Sequence, residues 1–223
     1  MAVTRVSSQI AEAETLTMPT HQQYDLAVAF AYRHNSVTEP TVPSGWRLRQ
    51  ASTGNSNGLW AYEKALASNA NTFGTFTGAT MVAVVVYRSD ADKLITCGAT
   101  NFTGQNSSTT VNFPAITNVN IGNINAFFLG AVGIDINSSD GNTAPSGMTN
   151  VVNLAGGSVA ELAIHDTNAE ATSWTSTSFT ASGAIKSRSI TLSVFETSHP
   201  EPTGRLRISV IYLSFMVFLE QSP

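Results

Sequence analysis

The chain is short of charge, of cysteine and of long apolar runs, and each shortage removes a class of protein. Asp, Glu, Lys and Arg make up only 12% of the residues, about half of the roughly 25% that is usual. Apolar residues reach 42%, so the chain has a core to bury and is not a disordered one. It is too poor in Glu, Lys and Leu for a coiled coil. The net charge is −4, and the densest positive spots are Arg205, Arg207 and the Lys186/Arg188 pair. They are too sparse to track a phosphate backbone, so no nucleic-acid partner is expected. Cys97 is the single cysteine, which rules out an intramolecular disulfide and a cysteine-rich metal site. The most apolar stretch, Ile208 to Leu219, is shorter than the ~20 residues a membrane helix needs, and no membrane partner is expected. The opening residues lack the apolar segment of a secretory signal, which predicts synthesis in the cytoplasm.

Chemistry-bearing motifs are scarce as well. No GxSxG elbow, P-loop, HExxH, CxxC or dinucleotide fingerprint occurs. The four histidines, His21, His34, His165 and His199, have no His or Cys at metal-ligand spacing. His165 and Asp166 are adjacent, but neighbours on a strand point to opposite faces, so they do not form an acid–base pair. Asp90 with Asp92, and Asp135 with Asn137 and Asp140, offer hard oxygens of the kind Ca²⁺ takes, yet no Asp-x-Asp-x-Asp-Gly loop surrounds them. A glycosidase needs two carboxylates across a cleft, and the 15 acids show no preferred pair. No catalytic residue, metal or cofactor is therefore expected. Of the three tryptophans, Trp46 and Trp60 are expected in the core, and Trp174, in the polar stretch ATSWTSTS, is the aromatic expected at the surface. Cys97 is expected to be a small buried residue.

What the chain does contain is strand-forming sequence cut up by turn residues. YDLAVAFAYR (Tyr24 to Arg33), MVAVVVYR (Met81 to Arg88), AFFLGAVGIDI (Ala126 to Ile136) and SITLSVFE (Ser189 to Glu196) read as strands, and ETLTMP before Thr20 alternates like one. WAYEKALASNA and SVAELAIHDTNAEA have helical propensity but lie between strand-like runs, and both read as strands ending in loops. The pattern predicts an all-β antiparallel sandwich of jelly-roll type.

Two stretches match in order. LAVAFAYR…TVPSGW is echoed by FFLGAVGI…TAPSGM, LWAYEKA by VAELAIHD, and GTFTGATMVAVVVYR by TSFTASGAIKSRSITLSVFE, with extra residues near GAIKSR. Pro43 and Pro145 are offset by nearly as much as Phe76 and Phe179, roughly one hundred residues, far beyond the about 20–50 of solenoid repeats. The expectation is one domain over residues 1–196 built from two similar halves, about 10–90 and 120–196, followed by a tail at 197–223. Proline fixes φ and glycine permits positive φ, so Pro-Ser-Gly makes a compact corner, and Trp46 and Met148 after it are expected in the core.

These motifs, HQQYDLAVAFAYR, TVPSGWR, YEKALAS, FTGATMVAVVVYR, TAPSGM and SRSITLSVFE, resemble a duplicated β-sandwich module common in bacteriophage virion proteins, with related copies in bacterial surface proteins. The family pattern is a Gly-Asp-Leu strand, a Pro-x-Gly-Trp turn, a Tyr-Lys strand and an apolar strand ending near Tyr-Arg. Here Tyr24 replaces the glycine and Met148 the second tryptophan. The resemblance covers about residues 10–196. It implies a non-enzymatic virion structural protein made in the host cytoplasm: a capsid decoration or cement subunit, or a fibre or tail-associated subunit. Its expected partners are copies of itself and virion proteins such as the major capsid protein or tail components.

The tail lies outside that pattern. Ile208, Val210, Tyr212, Met216 and Phe218 share one side of an extended strand, and Ile211, Leu213, Phe215, Val217 and Leu219 share the other, so the segment needs burial on both faces. It is expected either to complete the chain's own sandwich or to add to a neighbouring subunit, with Arg205 and Arg207 before it facing an acidic partner. Arg205, Arg207, Tyr212, Phe215, Phe218 and Trp174 are the candidate interaction residues. The alternative function is a carbohydrate-binding host-recognition module contacting surface glycan, through loops around Asn35–Pro40 and Asp135–Thr143.

Overall fold

A computed structural model of the chain describes residues 3–89, 93–116, 126–135, 140–154 and 160–197. The described residues form ten strands. The first five are β1 (Val3–Ala11), β2 (Leu26–Arg33), β3 (Arg47–Gly54), β4 (Asn57–Ala65) and β5 (Met81–Ser89). The second five are β6 (Leu94–Phe113), β7 (Phe127–Ile134), β8 (Thr149–Leu154), β9 (Glu161–Asp166) and β10 (Thr177–Thr197). The first set forms one antiparallel sheet in the order β1-β5-β2-β4-β3, and the second forms another in the order β6-β10-β7-β9-β8. The two orders are the same when each strand is matched to the one five places later. The sheets pack as an antiparallel sandwich, and each sheet is built wholly from one half of the chain.

The internal strands read as continuous apolar runs because both of their faces are covered. In β2 the larger residues Leu26, Val28, Phe30 and Tyr32 point into the space between the sheets. Ala27, Ala29 and Ala31 point outward, beneath Trp46, Trp60, Tyr62, Phe73 and Phe76. β5 divides likewise: Met81, Ala83, Val85 and Tyr87 face inward, Val82, Val84 and Val86 outward. Small alanines on the outer face of β2 leave room for a second aromatic layer, in which Trp46 meets Phe73 and Phe76 edge-on at 5.5 and 5.6 Å. Each large side chain so buried contributes roughly 1.5–3 kcal/mol.

The outer face of the second sheet is covered differently. The β6–β10 ladder breaks register between Thr180 and Ile185 and again before Ser187, and bulges of this kind bend a strand pair. Beyond the break, Val111, Phe113, Phe179, Ala181 and Ile185 cluster with Val132, Ile134 and Ala163. The extra residues near GAIKSR therefore sit where the ribbon bends.

The Pro-Ser-Gly corner is built twice. Gly45 has φ +88° and Gly147 +82°, β3 starts directly after Trp46 and β8 directly after Met148. In the second copy the Met148 amide donates to the Pro145 carbonyl. Both bulky residues are buried as expected. Trp46 donates from Nε1 to the Phe73 carbonyl at 2.9 Å, while Met148 joins a cluster with Trp174 and Phe128.

Two expectations change. The second half begins at Leu94 rather than near residue 120, because the long, Thr- and Asn-rich β6 is its first strand. ETLTMP is an extended loop rather than a strand: the Phe76 amide donates to the Glu14 carbonyl, Thr15 Oγ1 donates to the Gly74 carbonyl, and Leu16 and Met18 pack on the outer aromatic layer. The edge strands also cover one another across the sandwich, β1 against β8 and β3 against β6. Ser52 Oγ donates to the Thr103 carbonyl at 2.7 Å, and Thr100 Oγ1 to Gln50 Oε1 at 2.8 Å.

Candidate functional site

Several of the buried polar side chains of this sandwich lie where the two halves meet. β2 and β7 occupy the same place in their sheets, and both are eight residues long. His34 follows one and Asp135 the other, and these equivalent residues touch through Nδ1 and Oδ1. Asp135 also takes Lys186 Nζ at 3.2 Å, and the His34 amide donates to Thr80 Oγ1. One step inward, Tyr32 lies over Gly133, its own counterpart, and any Cβ on Gly133 would run into the tyrosine ring. A local pseudo-two-fold axis therefore passes between these pairs.

Beside the axis, Tyr32 accepts from Asn57 Nδ2 at 3.0 Å. Burial pushes the Tyr32 hydroxyl well above its ordinary range, with the Asn57 hydrogen bond opposing. Arg188 is buried, and its hydrogen bonds to described residues go to carbonyl oxygens and a side-chain amide. Its Nη1 donates to the carbonyls of Gln105 and Ser187, and its Nη2 to the Gly54 carbonyl and Asn106 Oδ1. Burial lowers its pKa, and the carbonyls serve as its counter-dipoles. This arginine ties the β3–β4 hairpin of one half to the β6–β10 ribbon of the other.

Two buried carboxylates perform the same joining at the rims. Asp166, at the end of β9, takes Arg5 of β1 at 2.8 Å on both oxygens and Tyr87 of β5 at 3.3 Å. Glu63 of β4 takes the Cys97 amide of β6 at 2.9 Å, Thr96 Oγ1 at 3.3 Å and Arg47 at 2.9 Å. Within the first sheet, Asp25 grips Arg88 through two 2.8 Å hydrogen bonds. Burial raises the Tyr87 hydroxyl and the Cys97 thiol, with Asp166 and Glu63 adding to the respective shifts. Both groups stay protonated at neutral pH.

Against the sequence expectations, Cys97 is buried as foreseen. His165 and Asp166 do point to opposite faces: His165 packs edge-on against Phe113 on the outer side, while Asp166 faces the other sheet. Burial pushes the His165 imidazole down to about 4, against a smaller opposing influence of the Gly141 backbone. Asp135 is engaged by His34 and Lys186, and Asp140 by Ser182. Asp90, Asp92, Asn137 and His199 lie outside the described residues, as do Arg205, Arg207, Tyr212, Phe215 and Phe218.

Trp174 corrects its expectation. It is 8% exposed, stacks on Phe128 with ring centroids 6.2 Å apart, and pairs by its backbone with Ile116. The polar sequence around it concealed a plug for the outer face of the second sheet. Among the described residues the exposed aromatics are instead Tyr24 and Phe102. The signal for Tyr24 was a lone aromatic in HQQYD, immediately ahead of a buried strand. No protein family, no curated protein and no solved structure matches the chain.

Proposed function

We propose that the chain is a bacteriophage virion structural protein, a capsid decoration or cement subunit or a fibre- or tail-associated subunit, working through subunit contacts and without catalysis. The supporting observation is that the residues carrying the family resemblance are the ones that close the fold. Asp25, from the strand-opening motif, holds Arg88, from the Tyr-Arg ending, in a bidentate pair. The Pro-Ser-Gly corner recurs at equivalent points with the same glycine conformation. Non-enzymatic work is supported by the use of Asp25, Asp166 and Glu63 as ligands for arginines, and by thiol and phenol groups held neutral by burial.

The contacts are assigned to the segment after Thr197, whose sequence is apolar on both sides of an extended strand. The three tryptophans are all buried, so the carbohydrate alternative gains nothing from them.

The test is mass spectrometry and immunogold labelling of gradient-purified phage particles from a lysate in which the chain is expressed. The expected result is a fixed copy number per particle with labels at one site on the virion. Recovery of the chain only in the soluble fraction, never with particles, overturns the proposal.

A further inference from the structure

Tyr24 combines three properties that do not belong together in a residue kept for the fold. Its backbone lies at φ +74°, in the left-handed region where an L side chain crowds the following carbonyl and glycine does not. Its side chain is 67% exposed and forms no hydrogen bond or ring contact with any described residue. A glycine here would keep the backbone bonds and shed the strain. Nothing among the described residues accounts for the tyrosine ring, which is left for a contact beyond them.

Its surroundings fix the chemistry of that contact. The Tyr24 amide donates to the Leu66 carbonyl at 2.7 Å, and the Leu66 amide to the Asp25 carbonyl at 2.9 Å. The Gln23 amide donates to Asn69 Oδ1, and the Gln22 amide to Asp25 Oδ2. These bonds stitch the loop before β2 to the loop after β4 and make a rigid support. On it Gln22, Gln23, Ala67, Ser68, Asn69 and Ala70 are exposed: amides, a hydroxyl and methyls, without net charge. Among the described residues, the charged groups beside the platform are engaged, Arg88 by Asp25 and Lys64 by the Thr72 carbonyl and the Trp46 ring.

From this we propose that the Tyr24 platform binds a neutral oligosaccharide, the phenol ring stacking on a sugar face while Gln22, Gln23 and Ser68 hydrogen-bond its hydroxyls. A protein partner would call for an apolar centre, and the neighbours of Tyr24 on both loops do not supply one. A phosphorylated or sulfated ligand would call for free cations. The site lies at the opposite end of β2 from the 34–40 loop, and it neither requires nor follows from a structural role in a virion.

The full chain is tested by saturation-transfer NMR against neutral mono- and disaccharides of glucose, galactose, mannose and N-acetylglucosamine, and on an array of neutral glycans. Binding by at least one member is expected, with saturation passing from the protein's aromatic protons to the sugar-ring protons. Tyr24→Phe should retain it, whereas Tyr24→Gly should weaken it at least about tenfold, as loss of one stacked ring does, while raising the melting temperature. The rise in melting temperature shows that the variant is folded. The proposal is overturned by a panel without any binder, by binding that survives Tyr24→Gly, or by a Tyr24→Gly variant that instead changes oligomer size, which would make Tyr24 a subunit contact.

Discussion

Glu63 and Asp166 are the same position of the two halves, and each reaches across the sandwich into the first strand of the other half. The register shows the equivalence: Glu63 lies opposite Val28 in β2, and Asp166 opposite Leu129 at the matching place in β7. Glu63 accepts from the Cys97 amide in β6, and Asp166 from Arg5 in β1. Removing one member of a buried ion pair leaves a buried charge or donor without its partner. Asp166→Ala, which also strips Tyr87 and Thr149 of a partner, should therefore cost about 3–5 kcal/mol in urea unfolding. Arg5→Met with Asp166→Leu should recover a large part of it, and a double variant no better than Asp166→Ala would contradict this account.

The axis between the halves makes its own demand on size. Because Tyr32 occupies the space where Gly133 has no side chain, Gly133→Ala should destabilise by about 1–3 kcal/mol through overpacking. Adding Tyr32→Ala should relieve the clash, so that the pair of substitutions costs less than the sum of the two. Additive losses in denaturant titrations would show that the two residues are not in contact.

Acid sensitivity should come from His165. Its folded pKa of about 4 lies below the ordinary value of 6.5, so the unfolded chain takes up a proton that the folded chain refuses. Stability is then complete above about pH 6.5 and falls as the pH drops towards 4, by on the order of 3 kcal/mol over that window. His165→Leu should flatten the pH dependence of the urea midpoint between those limits. An unchanged slope would assign the acid sensitivity to other groups.

Removing residues 198–223 separates folding from assembly. The assignment of this segment to assembly rather than to the fold predicts that the shortened chain keeps its melting temperature within a few degrees, as a change below about 1 kcal/mol implies. Its oligomer size by light scattering should drop. Unchanged size would remove the tail from the interface.

What the sequence disclosed follows the position of each strand in its sheet. β2, β4, β5, β7, β9 and the second half of β10 are internal and buried on both faces, and their apolar runs stand out. β1 and β6 are edge strands, and β6 carries Thr, Asn, Ser and Gln along its twenty residues, only four of which are fully buried, so its composition looks like loop. Trp174 was misplaced for the converse reason: its neighbours in the chain are polar, but the side chains around it come from Phe128 and Met148, distant in sequence. The inter-sheet carboxylates were equally hidden, since Asp166 and Arg5 meet only once both sheets exist. The repeated corner was legible because proline and glycine act on their own backbone and need no partner.

Because each half supplies one whole sheet, the central interface has the form of a symmetric dimer whose two members share one polypeptide. A dimer of separate chains loses stability on dilution, since its association depends on concentration. Here the partner half is permanently tethered, so the folded state is indifferent to dilution, however few copies of the chain are present.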